Sequence, residues 1–200
     1  MCIKNENSSL IAINSQMSEG RQRFSLAHEL FHYYYDKETP SIICKKIIDS
    51  KDIREQEADR FASFLLIPQT SLAQSIESIK GGEERALTTE EIIKLEQKYR
   101  VSRQALLYRL QKDKELLHLK ARNLQHNVIL SAATLGYDVS LYKPSAVNEQ
   151  KVTYGYYIKK AEELLEAKKI SIGKYEELLI DAFREDIVFG TTQEDGEHID

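Results

Sequence analysis

The sequence predicts a predominantly helical α+β protein with a small antiparallel sheet near its start. Three observations lead to this fold class. Most of the 200 residues lie in segments whose apolar side chains recur every three or four positions, as in amphipathic helices. The two segments that resemble strands both lie within the first 50 residues. Hydrophobic residues make up 42% and charged residues 30% of the chain, which is the balance of a folded globular protein.

The first strand and the first helix follow from short apolar patterns. Residues 9–14 form an apolar run bounded by polar residues, which predicts a strand that enters a loop over 14–20. A helix is predicted over about 24–35, and His28 and His32 are predicted to lie on the side opposite its apolar face. That face is formed by Phe24, Leu26, Ala27, Leu30, Phe31 and Tyr34.

Proline, glycine and capping residues divide the next part of the chain. Residues 39–48 contain β-branched residues and a proline, which predicts a loop and a short edge strand. The first of the following helices has Asp49 or Ser50 as its expected N-cap, and the third has Thr88 or Thr89. These helices are predicted over about 51–68, 69–79, 90–99 and 103–111.

Three regions are predicted from these elements. Residues 1–112 form the core domain, and a tight turn at 100–102 makes its last part, about 87–112, resemble a helix-turn-helix. Residues 113–189 form a helical C-terminal region, and residues 190–200, a polar segment rich in acids, form a flexible tail. The last two helices of the C-terminal region are expected over 154–168 and 172–185.

The composition argues against several classes of function. The formal net charge of −4 disfavours wholesale attraction to nucleic-acid phosphates. The two cysteines, Cys2 and Cys44, have no CxxC spacing and predict neither a disulfide framework nor a cysteine metal knuckle. No apolar run approaches the roughly 18 residues of a membrane span, and residues 1–10 lack the pattern of a signal peptide. The cytoplasm is therefore the expected compartment, and no membrane partner is expected.

The first predicted helix contains an HExxH motif, His28-Glu29-Leu30-Phe31-His32. Histidines four residues apart project from one face of a helix, so their imidazole nitrogens can converge on one ion. Glu29 is offset to one side of the pair, which suits a base that takes a proton from water better than it suits a ligand. The motif therefore predicts a catalytic zinc site, and the alternative interpretation is a pair of surface histidines.

A downstream carboxylate is required to complete the site, because a catalytic zinc usually has three protein ligands. Glu55 lies on the next predicted helix, near the small residues Ala58 and Ala62, which would let the two helices approach closely. Asp59, one turn after Glu55, is the candidate to accept a hydrogen bond from the outer nitrogen of a histidine ligand. Glu57 is the alternative ligand, and it points toward the other edge of the helix's apolar stripe.

Two separate segments resemble one known protein family. RQRFSLAHELFHY, from Arg21 to Tyr33, followed by EQEADRFASFLLIP, from Glu55 to Pro68, closely resembles the ImmA/IrrE family of bacterial metallo-endopeptidases. The resemblance extends to an upstream Ile-x-Ile-Asn segment and to a later VSRQALLYRL segment, so it covers about residues 10–110.

The resemblance implies a zincin-like fold in which His28, His32 and Glu55 bind Zn²⁺ and Glu29 is the catalytic acid/base. It also implies a bacterial, cytoplasmic enzyme that cleaves a helix-turn-helix transcriptional repressor. Such cleavage relieves the silencing of a mobile element, prophage, toxin system or stress regulon. Family members usually have a longer segment before the motif than the 27 residues that precede His28, so a smaller sheet or a further upstream segment is expected.

The main rival interpretation is a non-catalytic regulator that binds DNA or a repressor through residues 90–111. The second helix of that segment carries side chains suited to a major groove, namely Arg103, Gln104, Tyr108 and Arg109. The first helix carries acids that would repel phosphates, namely Glu90, Glu91 and Glu96. Direct DNA binding is therefore disfavoured.

Another interpretation is a helical interaction protein with a purely structural zinc. A structural zinc takes four protein ligands, and the candidates for the fourth are His118, His126 and Cys44. The peptidase interpretation instead requires a donor for the developing oxyanion and an element that aligns the substrate. The candidate donors are Tyr33, Tyr34 and Tyr35, and the strand near 10–14 is the candidate aligning element.

Overall fold

The structure is a computed structural model and describes residues 2–4, 9–36, 41–42, 52–112, 124–146 and 150–190. The described residues are mostly helical, with one small antiparallel sheet, which confirms the predicted fold class. The chain divides into two compact units, Met1–Ser145 and Ala146–Asp200. Most of the predicted acidic tail lies outside the described residues, and so does the start of the predicted C-terminal region.

The first unit contains the sheet and most of the helices. Its elements are β1 (Cys2–Lys4), β2 (Ser9–Ile11), α1 (Glu19–Tyr35), β3 (Ser41–Ile42), α2 (Ile53–Leu66), α3 (Gln69–Lys80), α4 (Thr89–Tyr99), α5 (Arg103–Lys112), α6 (Val128–Thr134) and a short 3-10 turn at Ser140–Tyr142. The second unit contains α7 (Tyr157–Glu166), α8 (Ile172–Asp181) and α9 (Glu185–Phe189).

The sheet has the strand order β2-β1-β3, and both pairings are antiparallel. Cys2 of the central strand lies opposite Ile11 on one side and Ile42 on the other. The sequence did not predict β1, because three residues are too few to display a period of two. The strand predicted over 9–14 is shorter than expected and ends at Ile11.

Helix α1 begins at Glu19, five residues before its predicted start, so the predicted loop over 14–20 ends earlier than expected. Glu19 places a negative charge in the first turn, where it interacts favourably with the helix dipole. Gly20 is buried in that turn because it packs against the backbone of Val101 and Ser102. The missing side chain of Gly20 therefore allows α1 to approach the turn between α4 and α5.

The buried face of α1 differs from the predicted one. Leu26 and Tyr34, which the sequence predicts on the apolar face, are 45% and 59% exposed. His28 and His32, which the sequence predicts on the opposite side, are only 7% and 1% exposed. The helix buries Phe24, Ala27 and Phe31 together with the two histidines, which face carboxyl groups that can accept their hydrogen bonds.

Helix α2 packs on α1 through small side chains, since Ala58 and Ala62 have no exposed surface. The cap of α2 is Asp52, rather than the predicted Asp49 or Ser50, and its side chain accepts a hydrogen bond from the Arg54 backbone. The close approach of α1 and α2 is the arrangement that the alanines predict. It brings the polar faces of the two helices into one buried region.

Helices α3, α4 and α5 form the other side of the core. Thr88 caps α4 with a reciprocal capping box to Glu91, in agreement with the predicted caps. Arg100 adopts a left-handed conformation (φ 54°) in the turn that leads to α5. The buried side chains of this part of the core are Ile67, Leu72, Ile76, Leu87, Ile92, Leu95, Tyr99, Val101, Ala105, Leu106, Leu107 and Leu110.

The second unit is a group of short helices in which α7 packs on α8 and α8 on α9. Ala161, Leu179 and Ala182 are its buried apolar residues within the described range. The helix predicted over 172–185 ends at Asp181, because Phe183 adopts a positive φ of 59° and interrupts it. Across both units, the described helices are each too short or too polar to cross a bilayer.

Gly20→Ala is expected to destabilise the protein by about 1–3 kcal/mol, because the new methyl group would overlap backbone atoms. Its Cβ would lie 2.5 Å from Ser102 N and 2.8 Å from Val101 C. The measurement is the free energy of unfolding in urea, followed by circular dichroism. Gly173→Ala is the matched control, because no atom lies within 4 Å of a Cβ at that helical position. The control is expected to be neutral or to stabilise by up to about 1 kcal/mol, and similar losses in both variants would contradict the packing argument.

Candidate metal centre

His28 and His32 lie one turn apart on α1, and their side chains converge on one point. The Nε2 atoms of the two rings are 3.1 Å apart. Both rings are almost completely buried. The HExxH motif therefore brings together two imidazole nitrogens, as its spacing predicts.

Glu55, near the start of α2, supplies a carboxylate to the same point. Its Oε2 atom lies 3.4 Å from His28 Nε2, and its Oε1 atom lies 3.6 Å from His32 Nε2. One ligand atom from each of the three residues falls within 4.8 Å of the others. Two helices separated in sequence thus form a single group of two nitrogens and a carboxylate.

The outer nitrogen of each imidazole faces an aspartate. His28 Nδ1 lies 2.9 Å from Asp59 Oδ1, and His32 Nδ1 lies 2.5 Å from Asp36 Oδ2. A carboxylate oxygen accepts hydrogen bonds, so each Nδ1 is the nitrogen that carries the hydrogen. Each Nε2 of a neutral ring then directs a lone pair toward the other and toward Glu55.

This arrangement suits a bound cation. Two lone pairs and a carboxylate repel one another at such distances unless a positive charge lies between them. Zn–N bonds of about 2.0–2.1 Å at the tetrahedral angle would place neighbouring ligand atoms about 3.3 Å apart. The separations of 3.1, 3.4 and 3.6 Å are close to that spacing. The donors therefore fit a tetrahedral divalent metal that has three protein ligands.

Glu29 and Glu57 occupy different environments. Glu29 follows His28 directly on α1 and is buried, with 3% of its surface exposed. Glu57, the alternative ligand, lies outside the metal group, and its half-exposed carboxylate accepts a hydrogen bond of 2.9 Å from Arg54. Of the two acids considered as the third ligand, only Glu55 lies beside the histidines.

Asp36 is the residue that sequence reasoning missed. It ends α1 and lies four residues after His32, so its carboxylate shares a face with the imidazole that it contacts. His28 and His32 have the same four-residue spacing. Extending that spacing by one more turn along the helix identifies Asp36 from the sequence alone. The helix predicted over 24–35 ends before Asp36, and the acids predicted to partner the histidines all lie on the next predicted helix.

The sequence also predicts candidates for an oxyanion donor and for a fourth zinc ligand. Tyr33, Tyr34 and Tyr35 are 39%, 59% and 56% exposed, and Tyr35 packs against the ring of Phe31. His126 is exposed and does not belong to the metal group. The other fourth-ligand candidates, Cys44 and His118, lie outside the described residues.

The structure also bears on the DNA-binding alternative. Arg103 is 3% exposed and forms a buried ion pair with Glu96. Arg109 has no exposed surface, and its guanidinium carbon lies 4.0 Å from the centroid of the Phe64 ring. Two of the four side chains proposed to read a major groove are therefore part of the core and do not reach the surface of α5.

Glu55→Gln is expected to weaken binding of a divalent metal by at least about 100-fold, because loss of a residue that only orients a ligand already costs about 10–100-fold. Glu57→Gln, two residues away on the same helix, is the matched control and should retain binding. The measurement is competition of the purified protein with a chromophoric chelator. Equal losses in the two variants would mean that Glu55 has no special role in the metal group.

Comparison with known proteins agrees with this geometry. A family model described as the IrrE N-terminal-like domain, of peptidase family M78, matches residues 2–111, which is more than half of the chain. No curated protein and no solved structure matches the chain. The matched region contains His28, His32 and Glu55 and confirms the resemblance that the two motifs indicated. With its paired histidines and facing glutamate, the chain therefore belongs to the M78 family of metallopeptidases.

Proposed function

We propose that the protein is a zinc-dependent endopeptidase. The observation that carries this proposal is the group of His28, His32 and Glu55, with both outer imidazole nitrogens held by aspartates. Two imidazoles and one carboxylate are a ligand set typical of catalytic zinc, which leaves its fourth position open. A structural zinc would instead take four protein ligands.

A zinc ion held by these residues would supply a Lewis acid that polarises a carbonyl and lowers the pKa of a water molecule toward about 7. The chain's own acid/base group is Glu29, which adjoins His28 and is buried. Its carboxylate accepts a proton from the attacking water and delivers it to the nitrogen of the departing amine. His28 and His32 serve as ligands, because each has its outer nitrogen committed to a carboxylate.

The sheet supports a way for the substrate to bind. β2 lies at one edge of the described sheet and is largely exposed at Ser9 and Leu10. An edge strand presents unpaired backbone groups, to which an extended peptide can add as a further strand. We infer that β2 aligns the substrate in this way, since the sheet and α1 are in contact.

The proposed substrate is a helix-turn-helix transcriptional repressor in the bacterial cytoplasm. This part of the proposal is supported by the resemblance of the two motifs to anti-repressor peptidases of the ImmA/IrrE family. The burial of Arg103 and Arg109 supports an action on a protein, because these residues are withheld from direct DNA contact. Cleavage of the repressor would relieve the silencing of the genes that it controls.

Glu29→Gln is expected to retain zinc and to lower the rate of peptide-bond cleavage by at least about 10²–10⁴-fold, the usual contribution of a general base. The amide has nearly the same size as the carboxylate but cannot take a proton from water. The measurements are zinc content and the rate of substrate cleavage. Glu77→Gln, an exposed position on α3 of the same unit, is the control and should retain both. Cleavage at the wild-type rate by Glu29→Gln would remove Glu29 from its proposed role.

A helix-turn-helix repressor encoded beside this protein is expected to be cut at a defined internal bond when incubated with the zinc-loaded protein. Intact-mass spectrometry of the repressor gives the cleavage site. A helix-turn-helix protein from an unrelated operon is the matched control and should remain intact, as should the repressor incubated with Glu29→Gln. The activity of the enzyme preparation is first verified by its cleavage of an unfolded test protein. If the repressor remains intact with that active preparation, the repressor is not the substrate.

A further inference from the structure

The two histidines of the metal group are oriented in different ways. His28 is held from the facing helix, since its partner Asp59 lies on α2. His32 is held from its own helix, since Asp36 is the C-cap of α1. The Asp36 backbone N–H also donates a hydrogen bond of 3.1 Å to the His32 carbonyl. This local pair does not by itself relate His32 to α2, the helix that presents Glu55.

Asp36 occupies a position that disfavours a negative charge. The C-terminal end of a helix carries the negative pole of the helix dipole, and carboxylates are destabilised there. Asp36 is also only 8% exposed, so water contributes little to its solvation. A carboxylate in this position requires a nearby cation. Arg54 of α2 meets this requirement, since its Nη2 atom lies 3.0 Å from Asp36 Oδ1.

Arg54 is itself held in place. Its backbone N–H donates a hydrogen bond of 2.9 Å to the capping side chain of Asp52, and its Nη1 donates one of 2.9 Å to Glu57. Its guanidinium carbon lies 5.8 Å from the centroid of the Phe31 ring. The guanidinium thus pairs with one carboxylate from each helix, through a hydrogen bond to Glu57 and an ion pair with Asp36. A lysine ammonium lacks this planar, two-sided arrangement of donors. Arg54 directly precedes Glu55, so the same helical turn carries both the cation and the third member of the metal group.

We propose that Asp36 and Arg54 form a clamp that sets the geometry of the metal centre. Asp36 keeps the His32 ring in the tautomer whose Nε2 lone pair faces Glu55. Arg54 holds Asp36 in position and ties it to the turn of α2 that presents Glu55. Both are positioning residues, and they link the second ligand to the third across the two helices. The inference rests on the proposed metal centre but not on proteolysis.

The test compares Arg54→Gln and Arg54→Lys with Arg60→Gln in the full chain. Arg60 is the matched control, because it is an exposed arginine of α2 whose guanidinium lies over the Phe64 ring, 5.8 Å from its centroid. Competition with a chromophoric chelator measures the zinc affinity of each protein. Arg54→Gln is expected to weaken binding by about 10–100-fold, the range for loss of a partner that orients a metal ligand. Arg54→Lys should show a smaller loss, and Arg60→Gln should match the wild type.

A second measurement follows the histidine tautomers directly in the metal-free protein. Long-range nitrogen–proton NMR of protein with ¹⁵N-labelled histidine distinguishes a ring protonated at Nδ1 from one protonated at Nε2. In the wild type and in Arg60→Gln, His28 and His32 should both carry the hydrogen on Nδ1. In Arg54→Gln, the His32 signals should move toward a mixture of tautomers while those of His28 remain unchanged. A general loosening of α2 would move both histidines.

Wild-type zinc affinity and unchanged His32 signals in Arg54→Gln would overturn the clamp. Equal weakening by Arg60→Gln would overturn it as well, since the effect would then come from removing any arginine of α2. Failure of the wild-type protein to bind zinc would instead reject the proposed metal centre. The tautomer measurement still decides on the clamp in that case, because it is made without metal.

Discussion

The close contact between α1 and α2 determines the rest of the site. Burying two imidazole rings in a core is unfavourable unless their polar nitrogens find hydrogen-bond partners. Ala58 and Ala62 allow the helices to approach closely enough for Asp59 to meet His28. The same approach brings Glu55 to the inner nitrogens. Larger side chains at the two alanine positions would separate the ligands as well as disturb the packing.

The helix-turn-helix-like segment, which contains α4 and α5, packs against α2 and so supports the contact between α1 and α2. Arg109 of α5 donates a hydrogen bond of 3.4 Å to the Ile67 carbonyl at the end of α2, and its guanidinium lies over Phe64. Arg103 joins α5 to Glu96 of α4. Burial raises the pKa of the Glu96 carboxyl, and the ion pair with Arg103 counteracts that effect. The arginines that suggested a recognition helix therefore hold the helices of the core together.

Much of the site was predictable from the sequence because its spacing is helical. The four-residue intervals of His28 to His32 and Glu55 to Asp59 place side chains on a common face whatever the rest of the fold does. Which side of α1 is buried could not be predicted in the same way. Leu26 and Tyr34 fit an apolar stripe as well as Phe24 and Phe31 do, and only the position of α2 decides which stripe is buried. The three-residue strand β1 depends on its neighbours and leaves no pattern of its own.

The distribution of charge links metal binding to the stability of the fold. Three carboxyl groups lie against the two imidazoles, those of Asp36, Glu55 and Asp59, and a fourth acid, the buried Glu29, follows His28 in the sequence. Arg54 places a positive charge against one of them, Asp36. A divalent cation between the inner nitrogens and Glu55 would reduce the repulsion among these three groups where α1 and α2 meet. Because the unfolded chain does not hold these groups together, metal binding would stabilise the helix contact as well as enable chemistry. The metal would then add to the packing of Ala58 and Ala62 in holding the two helices together.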